Sequence, residues 1–331
     1  MADQLTPPFL LQNHELHVTA SIGIAIFPDD GQDMTTLLQN ADAAMYRAKQ
    51  QGRNNYQFYT QRLGTEAAQR LKLENYLHHA LERDEFILHY QPQINVATGA
   101  VVQMEALLRW QHPLLGLVAP SQFIPLAEEN GLIVAIGEWV LQTACIQVMA
   151  WHRASLPLVK LAVNLSARQL QHPNLVNVVA KVLADTGFPA THLELEITET
   201  AAMADLAASI ARLQELRHLG VKISMDDFGT GYSCLSHLKQ FPLDGIKIDQ
   251  AFVKDLPYSS VDQAMVNAII AMARGLALGV VAEGVEIPEQ MQALHELGCV
   301  DMQGYLFGRP QPPEAVDTYL SPIYGQQWRL V

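Results

Sequence analysis

Val221-Lys222-Ile223-Ser224-Met225-Asp226-Asp227 is a short apolar stretch that stops on two adjacent carboxylates. Five more apolar stretches end on a carboxylate, an amide or a lysine: Val102-Gln103-Met104-Glu105, Leu161-Ala162-Val163-Asn164, Leu193-Glu194-Leu195-Glu196, Gly245-Ile246-Lys247-Ile248-Asp249 and Val280-Val281-Ala282-Glu283. A buried strand that ends on a charge is costly unless something at that end needs the group. Strands of this kind alternating with helices meet at one rim in a (β/α)8 barrel, so a TIM-type α/β barrel is the expected fold. The site positions lie 59, 32, 30, 20 and 36 residues apart. Steps of roughly 20 to 35 residues suit one βα unit each, and the first gap leaves room for two. Five acids, an amide and a lysine converging without a His or Cys cluster read as a hard-cation site for phosphate chemistry.

The chain has 331 residues, 49% hydrophobic and 17% charged, enough for a large core. Its formal charge of −13 disfavours non-specific contact with nucleic acid or anionic membrane. Cys145, Cys234 and Cys299 are odd in number and widely spaced, which suits a reducing cytoplasm better than a disulfide framework or zinc knuckle. The start has no basic and apolar leader pattern. The most apolar windows are broken by Glu138 and Gln142, and by Asn267 and Arg274, so membrane contact is not expected.

Residues 1–61 read as a small, truncated α/β segment. A strand-like run from Leu16 to Phe27 closes on the turn cluster Pro28-Asp29-Asp30-Gly31. Leu38, Ala41, Met45 and Ala48 then fall at helical spacing before Gly52, and Tyr56–Tyr59 supplies a last strand. A connecting helix is expected over 62–82, with the barrel over 83–331. Helices stop at glycines, as at Gly220 before Val221 and Gly279 before Val280.

Glu105-Ala106-Leu107-Leu108-Arg109-Trp110 resembles the motif of the EAL-domain phosphodiesterases of cyclic di-GMP. The likeness continues in order through Tyr90-Gln91-Pro92, Phe123–Glu128, Val163–Ser166, Glu196–Glu199, Asp226–Ser233, Ile246–Asp249, Val281–Glu286 and Gln303-Gly304-Tyr305. Cys234 stands where a second serine is usual. The resemblance allows one antiparallel barrel strand, which the sequence pattern does not show. Residues 20–25 and 41–49 resemble the back half of a GGDEF domain. The Gly-Gly turn of that family's nucleotide site is not in this sequence, so its cyclase activity is not carried over.

On this likeness Glu105, Asn164, Glu196 and Asp226 hold one divalent ion, and Asp226, Asp227 and Glu283 a second, with Mg²⁺ or Mn²⁺ expected. Adjacent strand residues face opposite ways, so Asp226 and Asp227 can serve one site only if the chain turns between them. Glu105, Lys247 and Glu283 are the expected catalytic residues. Nearby carboxylates raise a lysine's pKa, which makes Lys247 a poor base; it suits orienting water, and Glu283 accepting the proton. Gln91, Arg109, Gln303 and Glu286 are the expected substrate contacts, and Glu199 the anchor of the Asp226–Ser233 loop. Ordinary readings stay open for each: Lys247 as a rim ion pair, Arg109 as a surface one, Gln91 and Gln303 as satisfied core amides, Glu199 as an exposed acid at a helix start.

The implied reaction is hydrolysis of cyclic di-GMP to linear pGpG, by a cytoplasmic homodimer joined through the barrel. The main rival is a non-catalytic cyclic di-GMP receptor; a barrel enzyme using a metal on another substrate, such as an enolisable acid, is a third reading.

Overall fold

The computed structural model describes residues 9–11, 14–16, 19–52, 54–229, 235–321 and 324–330. The chain divides into two compact units, Met1–His79 and Ala80–Val331. In the first, Ile22–Ile24 pairs in parallel with Tyr56–Phe58, and the helix Met34–Gln50 packs on both. Asp33 caps that helix by accepting from the Thr36 amide, and Gly52 just past its end takes φ +97°. Phe9–Leu11 and His14–Leu16 form a short antiparallel pair. The helix beginning at Gln61 runs to Ala80 rather than 82, since the turn at 81–84 brings Asp84 to φ +54°.

The second unit is a closed eight-stranded barrel. Its strands are β1 (Phe86–Asn95), β2 (Ala100–His112), β3 (Lys160–Leu165), β4 (Leu193–Thr198), β5 (Lys222–Phe228), β6 (Gly245–Ile248), β7 (Gly279–Ala282) and β8 (Asp301–Gln303). Neighbours from β2 to β8 pair in parallel. Strand β1 closes the ring antiparallel to both β2 and β8. It is therefore the antiparallel strand, and it forms a hairpin with β2 instead of a βα unit.

Each of the six stretches singled out in the sequence is a barrel strand or its end. Outward-facing Ile223 and Met225 of β5 and Leu195 and Ile197 of β4 are at most 1% exposed beneath the helices. The helix Ile133–Arg153 packs on β1, β2 and β3 through a stripe containing Ile136, Val140, Ala144 and Val148. Among the described residues it is the one helix long and apolar enough to cross a membrane by length and composition. Its buried stripe is what a core helix requires. The expected stop at Gly279 differs: after Ser260–Gly275 the left-handed residue is Ala277, φ +57°, and Gly279 opens β7.

Candidate active site

Three functional positions are followed two residues later by a helix cap. Asn164 precedes Ser166, which accepts from the Gln169 amide at 3.2 Å. Glu196 precedes Thr198, which accepts from Ala201 N at 3.2 Å, and Lys247 precedes Asp249, which accepts from Ala251 N at 2.7 Å. The chain thus switches from strand to helix just past each polar side chain, and the cap, worth about 1 kcal/mol, fixes that switch point.

Lys247 is 1% exposed and sits among four carboxylates. Its Nζ lies 2.6 Å from Glu283 Oε1, 2.7 Å from Glu196 Oε2, 3.6 Å from Glu105 Oε2 and 3.7 Å from Asp226 Oδ1. Burial alone would pull the ammonium down, but these acids hold it well above the usual lysine range. Glu105 accepts from Asn164 Nδ2 and Gln303 Nε2, each at 2.6 Å. Burial opposes its ionisation, yet Lys247 and those two amides keep its carboxyl below the ordinary value. Glu196 goes the other way: burial and then Glu105 push it well above the usual range.

Asp227 takes φ +53°, a left-handed conformation unusual outside glycine, and the pairing of β5 with β6 shifts register between Met225 and Phe228. That is the turn the adjacent acids require. Carboxylate oxygens of Asp226, Asp227 and Glu283 consequently lie within 4.8 Å of one another. Burial, then Asp226 and a bond with Asp249, raise Asp227 to about 6. Burial raises Glu283 to about 8 despite Lys247. Burial likewise raises Asp226.

The donor set suits a hard divalent cation. It is built of oxygens, and Glu196 Oε1 is buried without a hydrogen-bond partner among the described residues. The same shifts give a stability prediction. Without a divalent ion, the raised carboxyls of Asp227 and Glu283 keep protons that the unfolded chain releases above about pH 4. Their contribution is full below that pH and is lost as pH rises through about 6 and then 8. Melting in EDTA should therefore fall from pH 5 to pH 8, and the gain from added Mg²⁺ should be larger at pH 8. A Mg²⁺ gain independent of pH would count against these assignments.

The expected substrate contacts surround this cage. Gln303 donates to Gln91 Oε1 at 3.1 Å, and Gln91 donates to the Gly308 carbonyl at 2.9 Å. Arg109 shares the inner face of β2 with Glu105, is half-buried, and donates to the Leu108 carbonyl at 2.9 Å. A cleft of about 210 Å³ is lined by Gln91, Glu105, Leu107, Glu283, Glu286 and Tyr305, among others. Glu199 is not an exposed acid: it is 3% exposed, and both carboxylate oxygens lack a hydrogen-bond partner among the described residues. Of the loop it was expected to anchor, residues 230–233 lie outside the described residues, as does Cys234.

Two contributors had gone unassigned. Gln93, 1% exposed, donates to Gln303 Oε1 at 2.9 Å and fixes that amide's orientation. Its spacing of two from Gln91 on a strand was the available signal. Asp249, besides capping a helix, is bonded to Asp227.

Residues 74–310 match the EAL domain family, and residues 1–55 the diguanylate cyclase, GGDEF domain family. The bifunctional diguanylate cyclase/cyclic di-GMP phosphodiesterase MucR of Pseudomonas aeruginosa is 48% identical over 314 residues, 95% of this chain and 46% of that protein. The cyclic di-GMP phosphodiesterase NbdA of the same organism is 44% identical over 97% of this chain and 41% of its own length. The chain thus spans less than half the length of these relatives. A solved structure of the PaMucR phosphodiesterase in complex with c-di-GMP superimposes with a TM-score of 0.71 at 48% identity, over 74% of this chain and 99% of that one. A barrel closed by one antiparallel strand, an acidic cage around a buried lysine and a family match across 74–310 agree: this chain belongs to the EAL domain family.

Proposed function

We propose that this chain hydrolyses one phosphodiester bond of cyclic di-GMP to give linear pGpG, using two Mg²⁺ or Mn²⁺ ions. The observation that carries the reading is the oxygen-rich cage around Lys247, two of whose acids, Glu105 and Glu283, line a cleft. Glu105, Asn164, Glu196 and Asp226 would hold one ion, and Asp226, Asp227 and Glu283 the other. Bound there, the ions would lower the pKa of water and offset charge on the phosphate.

The chain's own residues do the rest. Lys247 draws the carboxylates together and, with a donor hydrogen left over, orients water. Glu283, at the cleft wall, accepts the proton from that water. Arg109 is suited to a substrate phosphate, because a guanidinium can bind two of its oxygens at once. Gln91, Gln303 and Glu286 contact the substrate. The intact donor set favours catalysis over the receptor reading.

A turnover assay decides between them. Release of pGpG should require Mg²⁺ or Mn²⁺ and be inhibited by Ca²⁺, whose longer and looser coordination holds substrate without bringing the reacting atoms close enough. Binding of cyclic di-GMP with no product would establish the receptor instead, and unchanged hydrolysis after chelation would remove the metal role.

The buried, unpartnered carboxylate of Glu199 supports its role as anchor of the loop after Asp227. Glu199→Ala should lower kcat and the affinity for the second ion, raising the Mg²⁺ needed for half-maximal rate, with the fold intact by circular dichroism; normal kinetics with an unchanged melt would remove that role. The proposed homodimer through the barrel draws support from the exposed apolar side chains Tyr258, Val261 and Met265, at 80%, 70% and 42% exposure. The proposed setting is the cytoplasm.

A further inference from the structure

The pairing registers fix which inward side chains of the barrel share a height. Barrel strands tilt, so inward residues of alternate strands stack in layers of four. Followed around the ring, Glu105, Glu196, Lys247 and Gln303 of β2, β4, β6 and β8 fall in one layer, the floor of the cage. Their contacts agree: Lys247 donates to Glu196 at 2.7 Å and Gln303 to Glu105 at 2.6 Å. Toward the strand starts, the next layer is Gln93, Ala162, Ser224 and Val281. Beneath it lie Gln103, Glu194, Gly245 and Asp301.

Bulky branched side chains normally fill such layers, yet these two hold Val281 as their one large apolar residue. Ser224 is 1% exposed, and its Oγ has no hydrogen-bond partner among the described residues. Gln103 is buried with the same shortfall at Nε2, and Glu196 Oε1 is likewise unpartnered. Buried polar groups left in that state are costly. Ser224 aligns with Glu196 on β4, in the layer above, and with Gly245 on β6, in the layer below. Crowding does not demand the glycine. A Cβ there would lie 3.8 Å from Ser224 Cβ and 3.5 Å from the Gly279 carbonyl oxygen, which are ordinary contacts, nor is its φ positive. Gly245 instead leaves room beside the serine hydroxyl. Glu194, Gly245 and Asp301 are half-buried, so solvent reaches this lower layer through the N-terminal end of the barrel. Room, several polar partners and an entry path are what a bound water requires.

We propose that water enters the barrel from its N-terminal end and binds beneath the cage, anchored by Ser224 Oγ and Gln103 Nε2. The water on Ser224 donates to Glu196 and makes Ser224 a positioning residue for that carboxylate. A carboxylate oxygen has two lone-pair sites, so this water leaves one for an ion. The hydration site stands independently of the reaction; the positioning role rests on the hydrolysis reading above.

The test joins a high-resolution crystal structure of the full chain to two variants that remove the same water differently. Ser224→Ala deletes the anchor, and Gly245→Val keeps the hydroxyl but fills the space beside it. The structure should show an ordered water within hydrogen-bond distance of Ser224 Oγ, and both variants should lose it. Each variant should lower kcat and raise the Mg²⁺ needed for half-maximal rate by about tenfold, the usual effect of losing a partner of a metal ligand. KM for cyclic di-GMP should change far less, because the expected substrate contacts are untouched. The double variant should be no worse than the poorer single one, since both act on one water. The rise in melting temperature with Mg²⁺ should shrink in parallel, a readout that needs no turnover. Lack of density at Ser224 Oγ would overturn the site. Additive losses, or wild-type Mg²⁺ dependence in both variants, would overturn the positioning role. A wild-type chain that binds cyclic di-GMP without cleaving it would defeat the proposed reaction alone, and the density and the melting shifts would still decide the hydration site.

Discussion

Glu105→Ala should abolish turnover while leaving the protein folded. The Glu105 carboxylate is the point at which three strands communicate: it accepts from Asn164 on β3 and from Gln303 on β8, and faces Lys247 on β6. Removing it takes one carboxylate from the cage and frees two amides whose placement depends on it. Misplacement of reacting groups by an ångström costs on the order of a hundredfold, and loss of a hard ligand adds to that. Binding of cyclic di-GMP should persist, chiefly through Arg109, with the released Gln303 contributing less. The measurement is kcat at saturating Mn²⁺ beside a melt. Retention of more than about a tenth of wild-type kcat, roughly 1.4 kcal/mol in barrier, would remove Glu105 from the metal site.

Lys247→Met should be the most destabilising conservative change in the barrel. The side chain keeps its length but leaves Glu196 and Glu283, at 2.7 and 2.6 Å, without their cation. Breaking a buried ion pair by removing one partner typically costs about 3–5 kcal/mol, because the remaining charge is buried and uncompensated. Here two close acids and two farther ones share the loss, so the protonated forms of Glu196 and Glu283 should take over. Melting in EDTA should drop most above about pH 8, where Glu283 would otherwise be ionised, and recover in part with Mg²⁺, since a divalent ion supplies the missing positive charge. An unchanged melt in EDTA would mean that the acids do not depend on the lysine.

The barrel was legible because its strands end on groups that no core would otherwise retain. Glu105, Asn164, Glu196, Asp226, Lys247 and Glu283 each follow an apolar run, and that pattern alone orders six strands. The need for a turn between Asp226 and Asp227 was also readable, and the positive φ of Asp227 meets it. The β1–β2 hairpin was less so. Its inner face carries Gln91, Gln93, Gln103 and Glu105 while its outer face buries Tyr90 and Met104, and that alternation suits either strand direction. Direction is decided by the short turn around Thr98 and Gly99, where Asn95 accepts from Thr98 and Gly99 bonds back to Asn95. The burial of Glu199 was not legible either: an acid opening a helix is ordinarily a solvated one that favours the helix dipole. Nor could the sequence place Gln93, because a glutamine two positions from a functional one is equally common on a solvated face.

The antiparallel closure of the ring has a consequence for biosynthesis. The first barrel strand to be made pairs with the last: Gln93 aligns with Gln303, 210 residues later, and Asn95 donates to Asp301 at 2.7 Å. The β1–β2 hairpin is local and can form early, whereas ring closure must wait for one of the longest-range contacts in the barrel. Gln303 on that last strand is also the amide that holds Glu105. A nascent chain still short of residue 303 therefore has the acids of the proposed metal site but lacks the group that sets the first of them. Competence for the proposed chemistry thus arrives with the end of translation of the barrel.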